Sequence, residues 1–332
     1  MSELSYLEKL LDGVEVEWVT LGSMADIGTG SSNRQDESEN GIYPFYVRSK
    51  NILKSDTFEF DEVAIVIPGE GGIGDIFHYV EGKYALHQRA YRIRITTNAV
   101  DTKFLYYFMS SSFKQYILTK SVGATAISIR KPMLEGFKVP IPSPDNPEKS
   151  LAIQSEIVRI LDKFTALTAE LTAELTAELN MRKKQYNYYR DQLLSFKEGE
   201  VEWKTLGEVA KIQRGASPRP IVNYLTEQGN GIPWIKIGDT IPGSKYIDKT
   251  LQKITAEGAQ KSRILNPGDF VISNSMSFGR PYILRITGAI HDGWASISNF
   301  GEKLNTDYLY HYLSSKKVKN YWESKINSGS VS

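Results

Sequence analysis

Basic side chains alternate with amide and aromatic side chains at several places in both halves of the sequence. Arginine and lysine contact phosphates, and arginine, asparagine and glutamine also pair with base edges in the major groove. The pattern therefore predicts a DNA-binding surface; the alternative is that the aromatic rings fill the core and the charges are solvated. The predicted DNA-binding residues are Arg48, Lys50, Asn51, Gln88 and Arg89 in the first half, and Trp234, Lys236, Ser273, Asn274, Arg280, His291 and Asp292 in the second.

The glycines from Gly69 to Gly74 fit the spacing G-x-G-x-x-G and suggest a different chemistry. In a dinucleotide site this sequence opens a helix whose N-terminus holds the pyrophosphate. Here Pro68 precedes the glycines and a strand-like segment at residues 75–80 follows, which favours a tight loop between strands. A stand-alone nucleotide-binding enzyme using Gly69 to Gly74 is kept as the alternative function. The sequence predicts no catalytic residues.

Tyrosines are dense near residue 190, at the end of a long helical pattern. Tyr186, Tyr189 and Leu193 are three and four residues apart and therefore share one helix face. Tyrosine is enriched in protein interfaces. The segment predicts a partner-docking face formed by Tyr186, Tyr189, Arg190 and Leu193; a DNA contact and a solvated helix end are the alternatives.

The composition limits the class of protein. The chain has 332 residues, a net charge of +1 and no cysteine. The lack of cysteine excludes disulfides and cysteine–zinc sites and fits the reducing cytoplasm, where we expect the protein to work. The histidine spacings predict no metal site, and no apolar run is long enough to predict a membrane-spanning helix. The net charge neither requires nor excludes DNA binding, because basic residues can gather on one face.

The elements that must position these residues occur twice. Residues 15–22, EVEWVTLG, return 185 residues later as residues 200–207, EVEWKTLG. In the same order, residues 85–88 match residues 289–292, and residues 100–107 match residues 304–311. A repeat this long is a whole domain rather than a solenoid unit. The matches therefore predict two tandem domains.

Each predicted domain contains both strands and helices. Apolar or alternating runs predict strands at residues 63–67, 91–95, 231–238 and 269–272, and helical spacing predicts helices at residues 102–116 and 306–324. The proline-rich residues 139–147 exclude a helix or a central strand. The predicted fold class is α+β, strand-rich, with one domain at residues 1–146 and a second at residues 198–332.

A long helix is predicted between the domains, at residues 147–197. No proline or glycine occurs between Glu148 and Lys197, and strong helix formers dominate. Such a helix is roughly 70 Å long. An apolar stripe along it predicts a coiled coil or another packing partner; its members are Ile157, Leu161, Phe164, Leu167, Leu171, Leu175 and Leu179.

The two EVEW-x-TLG segments, TAELTAELTAEL at residues 168–179 and RKKQYNYYRDQLLSF at residues 182–196 resemble the specificity (S) subunits of type I restriction–modification enzymes, of the TAEL-repeat, IC-like kind. The resemblance implies two target recognition domains, each reading half of a bipartite DNA site, and a coiled-coil spacer helix that sets the spacing. It implies that two methylation (M) subunits, which use S-adenosylmethionine, dock on the chain, as do restriction (R) subunits, which use ATP and Mg. The chain itself is implied to need no cofactor, metal or catalytic residue.

The same resemblance implies a second, distal spacer helix after the second recognition domain. Since the sequence ends at Ser332, we expect the chain to be incomplete at its C-terminal end.

Overall fold

The computed structural model describes residues 10–72, 74–120, 128–227, 229–273 and 279–327. The chain divides into two compact units, unit 1 (residues 1–173) and unit 2 (residues 174–332). Both contain sheets and helices, so the predicted α+β class is confirmed. Asn274, predicted to bind DNA, lies outside the described residues, and so does Ile73 of the glycine-rich segment.

Unit 1 is built around one large sheet. Its strands are β1 (Val16–Thr20), β2 (Ala25–Thr29), β3 (Tyr43–Tyr46), β4 (Leu53–Ser55), β5 (Phe60–Pro68), β6 (His78–Leu86), β7 (Ala90–Ile95) and β8 (Lys138–Pro142). Six of them form the sheet in the order β2–β7–β5–β6–β3–β4. Among the described strands of this sheet, β3 and β6 form the parallel pair, with Phe45 opposite Ala85. The strands predicted at residues 63–67 and 91–95 lie in β5 and β7 and are confirmed.

Helix α1 (Thr102–Lys120) packs on this sheet. Its start is fixed by Asp101, whose Oδ1 accepts the backbone N–H groups of Lys103 and Phe104 at 2.9 and 2.8 Å. The residues that it buries share a core with strand residues such as Ile65. The predicted helix at residues 102–116 is confirmed and continues to Lys120.

The proline-rich segment at the end of unit 1 contributes strand β8 to a separate two-stranded sheet. After the short helix α2 (Lys131–Glu135), β8 pairs only with β1, with Trp18 opposite Pro140. A two-stranded sheet has no central strand, so it accommodates prolines that lack an N–H donor. The prediction that this segment is neither helix nor central strand is confirmed for the residues before Pro147.

Helix α3 (Pro147–Leu193), the central helix, is one continuous element of 47 residues. Asn146 caps it by accepting the Lys149 N–H at 3.0 Å, and proline is favoured at the first helical position. It ends at Leu193, earlier than the predicted residue 197, because residues 197–200 form a hydrogen-bonded turn instead. No helix in the described residues is long and apolar enough to cross a membrane.

The stripe of the central helix is partly buried at its beginning and exposed from Phe164 onward. Ile157 packs against the core of unit 1. From Phe164 to Leu179 the stripe residues are between 47% and 60% exposed. The polar anchor in unit 1 is Gln154, which is fully buried: its Oε1 accepts the Asp101 N–H at 2.8 Å and its Nε2 donates to the Ala99 carbonyl at 3.0 Å.

Besides the end of the central helix and short 3-10 turns, unit 2 holds ten strands and four α-helices in its described residues. The strands are β9 (Lys211–Arg214), β10 (Leu225–Thr226), β11 (Ile232–Ile235), β12 (Tyr246–Ile247), β13 (Gln252–Ile254), β14 (Arg263–Leu265), β15 (Phe270–Ser273), β16 (Pro281–Leu284), β17 (Gly288–Ile290) and β18 (Trp294–Ser298). The helices are α4 (Leu206–Val209), α5 (Ala256–Gln260), α6 (Thr306–Leu313) and α7 (Lys316–Asn327). The strands form two sheets, β10–β13–β11–β17–β14 and β12–β16–β15–β18–β9.

The two units share the order in which their strands pair. The order β2–β7–β5–β6 corresponds to β9–β18–β15–β16, and β4–β3–β6 corresponds to β13–β11–β17. The parallel register also matches, since Trp234 lies opposite Ala289 as Phe45 lies opposite Ala85. The single long β6 is replaced in unit 2 by two short strands, β16 and β17. The duplication predicted from the sequence is therefore visible in the topology.

Two predictions for unit 2 need correction. The strand predicted at residues 231–238 ends at Ile235, because Asp239 accepts the Lys236 N–H at 2.7 Å and closes a 3-10 turn. The single helix predicted at residues 306–324 is two helices, α6 and α7. The break lies at Ser315, whose hydroxyl accepts the Val318 N–H at 3.4 Å, and serine is a favoured helix-capping residue.

Candidate nucleic-acid interface

In unit 1 the predicted basic residues lie where two parallel strands end. Arg48 follows β3 and Arg89 follows β6, and parallel strands end at the same edge of a sheet. Both arginines donate Nη1 to the same oxygen of Glu70, Oε2, at 3.0 Å from Arg48 and 3.2 Å from Arg89. The structure thus brings Arg48 and Arg89 together. Lys50, Asn51 and Gln88 are exposed in the bends beside them.

His87 fixes the backbone that carries Arg89. The His87 N–H donates to the Tyr46 carbonyl at 2.9 Å, which joins the ends of β6 and β3. Its ring Nδ1 accepts the Arg89 N–H at 3.0 Å, so the neutral ring carries its proton on Nε2. Burial, with smaller contributions from Arg48 and Arg89, lowers the pKa of His87.

Unit 2 repeats this construction. The His291 N–H donates to the Ile235 carbonyl at 3.0 Å, and the His291 Nδ1 accepts the Gly293 N–H at 2.9 Å. Asp292 follows, and its Oδ2 accepts the Arg219 Nη2–H at 3.1 Å. Burial alone would raise the pKa of Asp292, but the Ser217 hydroxyl, the His291 ring and Arg219 together lower it.

Lys236 and Arg280 also reach the surface of unit 2. Lys236 follows β11 directly, is half-buried, and donates Nζ to the Gln252 Oε1 at 2.7 Å. Arg280 is exposed, and its guanidinium lies 5.1 Å from the ring centre of Tyr282. Both side chains are accessible to a ligand.

Two residues predicted to bind DNA are core residues, so these predictions are wrong. Trp234 is 1% exposed and packs with Ile254 and Ala289. Ser273 is also 1% exposed, at the end of β15. The duplication accounts for this: Trp234 occupies the strand position that Phe45 occupies in unit 1, and Phe45 is also buried.

Sequence reasoning missed one member of the ion pairs at each edge: Glu70 in unit 1 and Arg219 in unit 2. Glu70 is 22 residues from Arg48 and 19 from Arg89. Its role depends on strand pairing that no local pattern reveals. Arg219 is 73 residues from Asp292 and was missed for the same reason.

The predicted docking residues line a groove of about 510 Å³ within unit 2. Helix α6 forms the opposite wall through Tyr308 and His311. The Tyr186 hydroxyl and the His311 Nδ1 are 2.7 Å apart. Tyr186, Tyr189 and Leu193 are 43%, 55% and 75% exposed.

Arg190 differs from the other residues of the predicted docking face. Its side chain is only 11% exposed. Its guanidinium binds Asp191 and Asn187 and lies over the ring of Tyr186. Arg190 therefore supports the groove wall and the orientation of Tyr186.

The glycine-rich segment does not open a helix in its described residues. It connects β5 to β6, which pair antiparallel, with Val66 opposite His78. A pyrophosphate site of the dinucleotide-binding type requires a helix N-terminus here. In the described residues, no cluster of three histidine or carboxylate side chains could hold a metal ion.

Comparison with known proteins identifies the class. The family described as "Type I restriction modification DNA specificity domain" matches residues 13–181 and, a second time, residues 198–331. The chain belongs to this family. The resemblance predicted from the sequence is therefore confirmed. Since specificity subunits are the non-catalytic subunits of type I systems, the chain has a recognition role, and the nucleotide-binding alternative gains no support.

Individual relatives support the same family assignment. The chain is 36% identical over 351 residues to the type I restriction enzyme EcoR124I/EcoR124II specificity subunit of Escherichia coli, covering 100% of this chain and 82% of that protein. It is 44% identical over 239 residues to the EcoprrI specificity subunit of Escherichia coli, covering 65% of this chain and 59% of that protein. A structure described as "Structural basis underlying complex assembly and conformational transition of the type I R-M system" shares the fold, with a TM-score of 0.54, 18% identity, and coverage of 90% of this chain and 79% of that one.

Three histidines that are partly or fully buried predict a pH dependence of folding stability. Burial is the main cause that lowers the pKa values of His78 and His87 in unit 1 and of His311 in unit 2. A histidine whose folded pKa is lowered binds a proton more readily in the unfolded chain. The free energy of unfolding therefore falls as the pH drops below about 6.5, the ordinary histidine value.

Urea unfolding between about pH 5.5 and 7.5, around the ordinary histidine pKa, measures this change. In the variant His87→Asn, an amide oxygen can accept the Arg89 N–H but cannot titrate. We expect this variant to unfold with a smaller pH dependence than the original chain; an unchanged dependence would contradict the assignment to His87.

Proposed function

We propose that each unit reads one half of a bipartite site on double-stranded DNA through the edge where its parallel strands end. The observation that carries this proposal is the repeated edge: His87 and His291 make the same backbone contacts, and each is followed within two positions by a charged residue, Arg89 or Asp292. The family match supports DNA recognition as the role of both units.

The chemistry of these edges suits DNA. In unit 1 the candidates are Arg48, Lys50, Asn51, Gln88 and Arg89; in unit 2 they are Lys236, Arg280, His291 and Asp292. Guanidinium and ammonium groups bind phosphates, and arginine, asparagine and glutamine can also read base edges. Because the net charge is only +1, these residues must act through their local arrangement.

We further propose three functional segments: a recognition domain at residues 1–146, a spacer at residues 147–197 and a second recognition domain at residues 198–332. The central helix of 47 residues supports the spacer role. The exposed stripe from Phe164 to Leu179 supports pairing with another helix as a coiled coil, because water-exposed leucines gain stability when they are covered.

The proposed partners are two methylation subunits and the restriction subunits of a type I complex, with the tyrosine-lined groove as a docking face. Relatives named as specificity subunits of restriction enzymes support this assembly. S-adenosylmethionine would then belong to the methylation partner, and ATP and Mg to the restriction partner, with no cofactor in this chain. A complex acting on chromosomal DNA would work in the cytoplasm.

Alanine at Lys236 or Arg280 should weaken DNA binding by the full chain. Loss of a base contact costs about 1–3 kcal/mol and relaxes selection at one position, whereas loss of a phosphate contact lowers the salt slope by about 1. Anisotropy titrations of labelled duplexes at several salt concentrations separate these outcomes. Lys319→Ala, on helix α7 and 73% exposed, is the control. Unchanged affinity and slope in both variants would mean that this edge is not the DNA face.

Changing both Tyr186 and Tyr189 to alanine should reduce co-purification with the methylation subunit. Aromatic rings that act as interface hot spots contribute about 2 kcal/mol or more to binding, so a loss of roughly 30-fold or greater is expected. Tyr188→Ala is the matched control, because Tyr188 is 62% exposed and is not among the residues that line the groove. Complex formation at the original level by a folded double variant would contradict the docking role.

Deleting residues 172–175, one TAEL unit, should shorten the gap between the two half-sites and leave their bases unchanged. The unit contributes about 6 Å of helix and about 40° of rotation, and the resemblance favours a change of one base pair. Methylome sequencing of cells that carry the variant and the methylation subunit measures the gap. Deleting only residues 172–173 is the contrasting variant, because it turns the stripe by about 160° and disrupts its packing. An unchanged gap after the four-residue deletion would refute the spacer role.

A further inference from the structure

We propose that Glu70 is a positioning residue whose carboxylate holds Arg48 and Arg89 together as a pair that reads guanine in the half-site bound by unit 1. This inference rests on the proposed DNA recognition. It adds the residue that orients the guanidinium groups of Arg48 and Arg89. Glu70 acts through the two arginines, without a contact of its own to a base.

The geometry joins the two guanidinium groups at one point. Both Nη1 atoms bind the same Glu70 Oε2, at 3.0 and 3.2 Å. A guanidinium has five N–H groups in a rigid plane, so one bond to Glu70 leaves a face with further donors. The side chains of Arg48 and Arg89 are 46% and 56% exposed, so these donors are within reach of a ligand.

The backbone around Glu70 is tied to the same edge. The Gly69 N–H donates to the Arg89 carbonyl at 2.9 Å, and the Gly69 carbonyl accepts the Ile129 N–H at 2.9 Å. A Cβ atom at Gly69 would lie 2.8 Å from the Arg89 carbonyl oxygen, so only glycine allows this approach. The backbone of Glu70 is consequently held beside Arg89. The point from which its side chain extends is therefore fixed.

Folding stability does not explain this arrangement. Ion pairs as exposed as these contribute little to stability, because water screens them. Glu70 instead offsets the repulsion between two arginines that approach one oxygen. The hydrogen bond from Arg89 is the main cause that lowers the pKa of Glu70, with Arg48 acting in the same direction, so the carboxylate stays charged at neutral pH.

The Glu70 carboxylate also changes whether the two arginines prefer phosphates or base edges. Two arginines alone would attract any phosphate, whereas the trio of charges has a net charge of +1 and attracts the backbone less strongly. Directed N–H groups remain, and arginine paired with O6 and N7 of guanine is the commonest specific contact in the major groove. Guanine is therefore the base that this arrangement fits.

Unit 2 supplies an internal control. Its comparable contact, Arg219 with Asp292, places the carboxylate at the position that matches Gln88. A change at Glu70 should therefore alter one half-site and leave the other unchanged.

The test uses the full chain and a library of random DNA duplexes, from which bound sequences are selected and counted. The original chain should enrich two half-sites, one of them with guanine at a position sensitive to Glu70. In Glu70→Gln we expect guanine preference at that position to fall by at least about 5-fold, the lower bound for a bidentate arginine contact. Affinity for unrelated duplexes should rise, because a negative charge has been removed.

Glu70→Asp separates position from charge. It keeps the charge but withdraws the carboxylate by one methylene, so guanine preference should fall without a rise in unspecific affinity. Glu135→Gln is the matched control, since Glu135 also pairs with a basic side chain and is 45% exposed against 44% for Glu70.

Three results would overturn the inference: guanine preference that survives in Glu70→Gln, a Glu70→Asp variant that selects as the original chain does, or a half-site without guanine. An original chain that enriches no sequence would contradict the proposed function itself.

Discussion

Parallel pairing of two strands is the constraint on which both candidate DNA-reading edges depend. In each unit a short strand, β3 or β11, lies parallel to the end of a strand that comes much later in the sequence. The two carboxyl ends therefore meet, and one hydrogen bond joins them: His87 N–H to the Tyr46 carbonyl, or His291 N–H to the Ile235 carbonyl. Residues about forty positions apart in unit 1 become neighbours only through this pairing.

Close packing behind each edge makes the pairing specific. A Cβ atom at Gly30 would lie 1.8 Å from the Leu86 carbonyl oxygen, and one at Gly215 would lie 2.1 Å from the His291 carbonyl oxygen. Glycine is therefore required at both positions, which are 185 residues apart, the same offset as between residues 15–22 and 200–207. The rings of Phe45 and Trp234 fill the space behind, so the edge rests on a packed core while its charged residues remain outside.

The sequence predicted what local patterns and the repeat encode. Strands β5 and β7, helix α1 and the central helix all follow from spacing within short segments. The tandem organisation follows from matching residues such as Trp18 and Trp203. The failures have a different origin: Trp234 was assigned to the DNA-binding surface because an aromatic and a basic residue, Lys236, lie close together in the sequence, although its strand position corresponds to that of buried Phe45. Glu70 could not be assigned to Arg48 and Arg89, because their contact depends on strand pairing across the chain.

The charge balance of the chain explains how such edges can select a sequence. With 40 basic and 39 acidic side chains, overall charge provides little attraction to DNA. At both edges exposed arginines contact carboxylates: Arg48 and Arg89 bind Glu70 in unit 1, and Arg219 binds Asp292 in unit 2. A paired arginine gives up some of its attraction to phosphate, which is the same for every sequence, and keeps hydrogen-bond donors whose direction matters. In the proposed role, discrimination between bases depends on the orientation of these donors, and the strands from which they extend set that orientation.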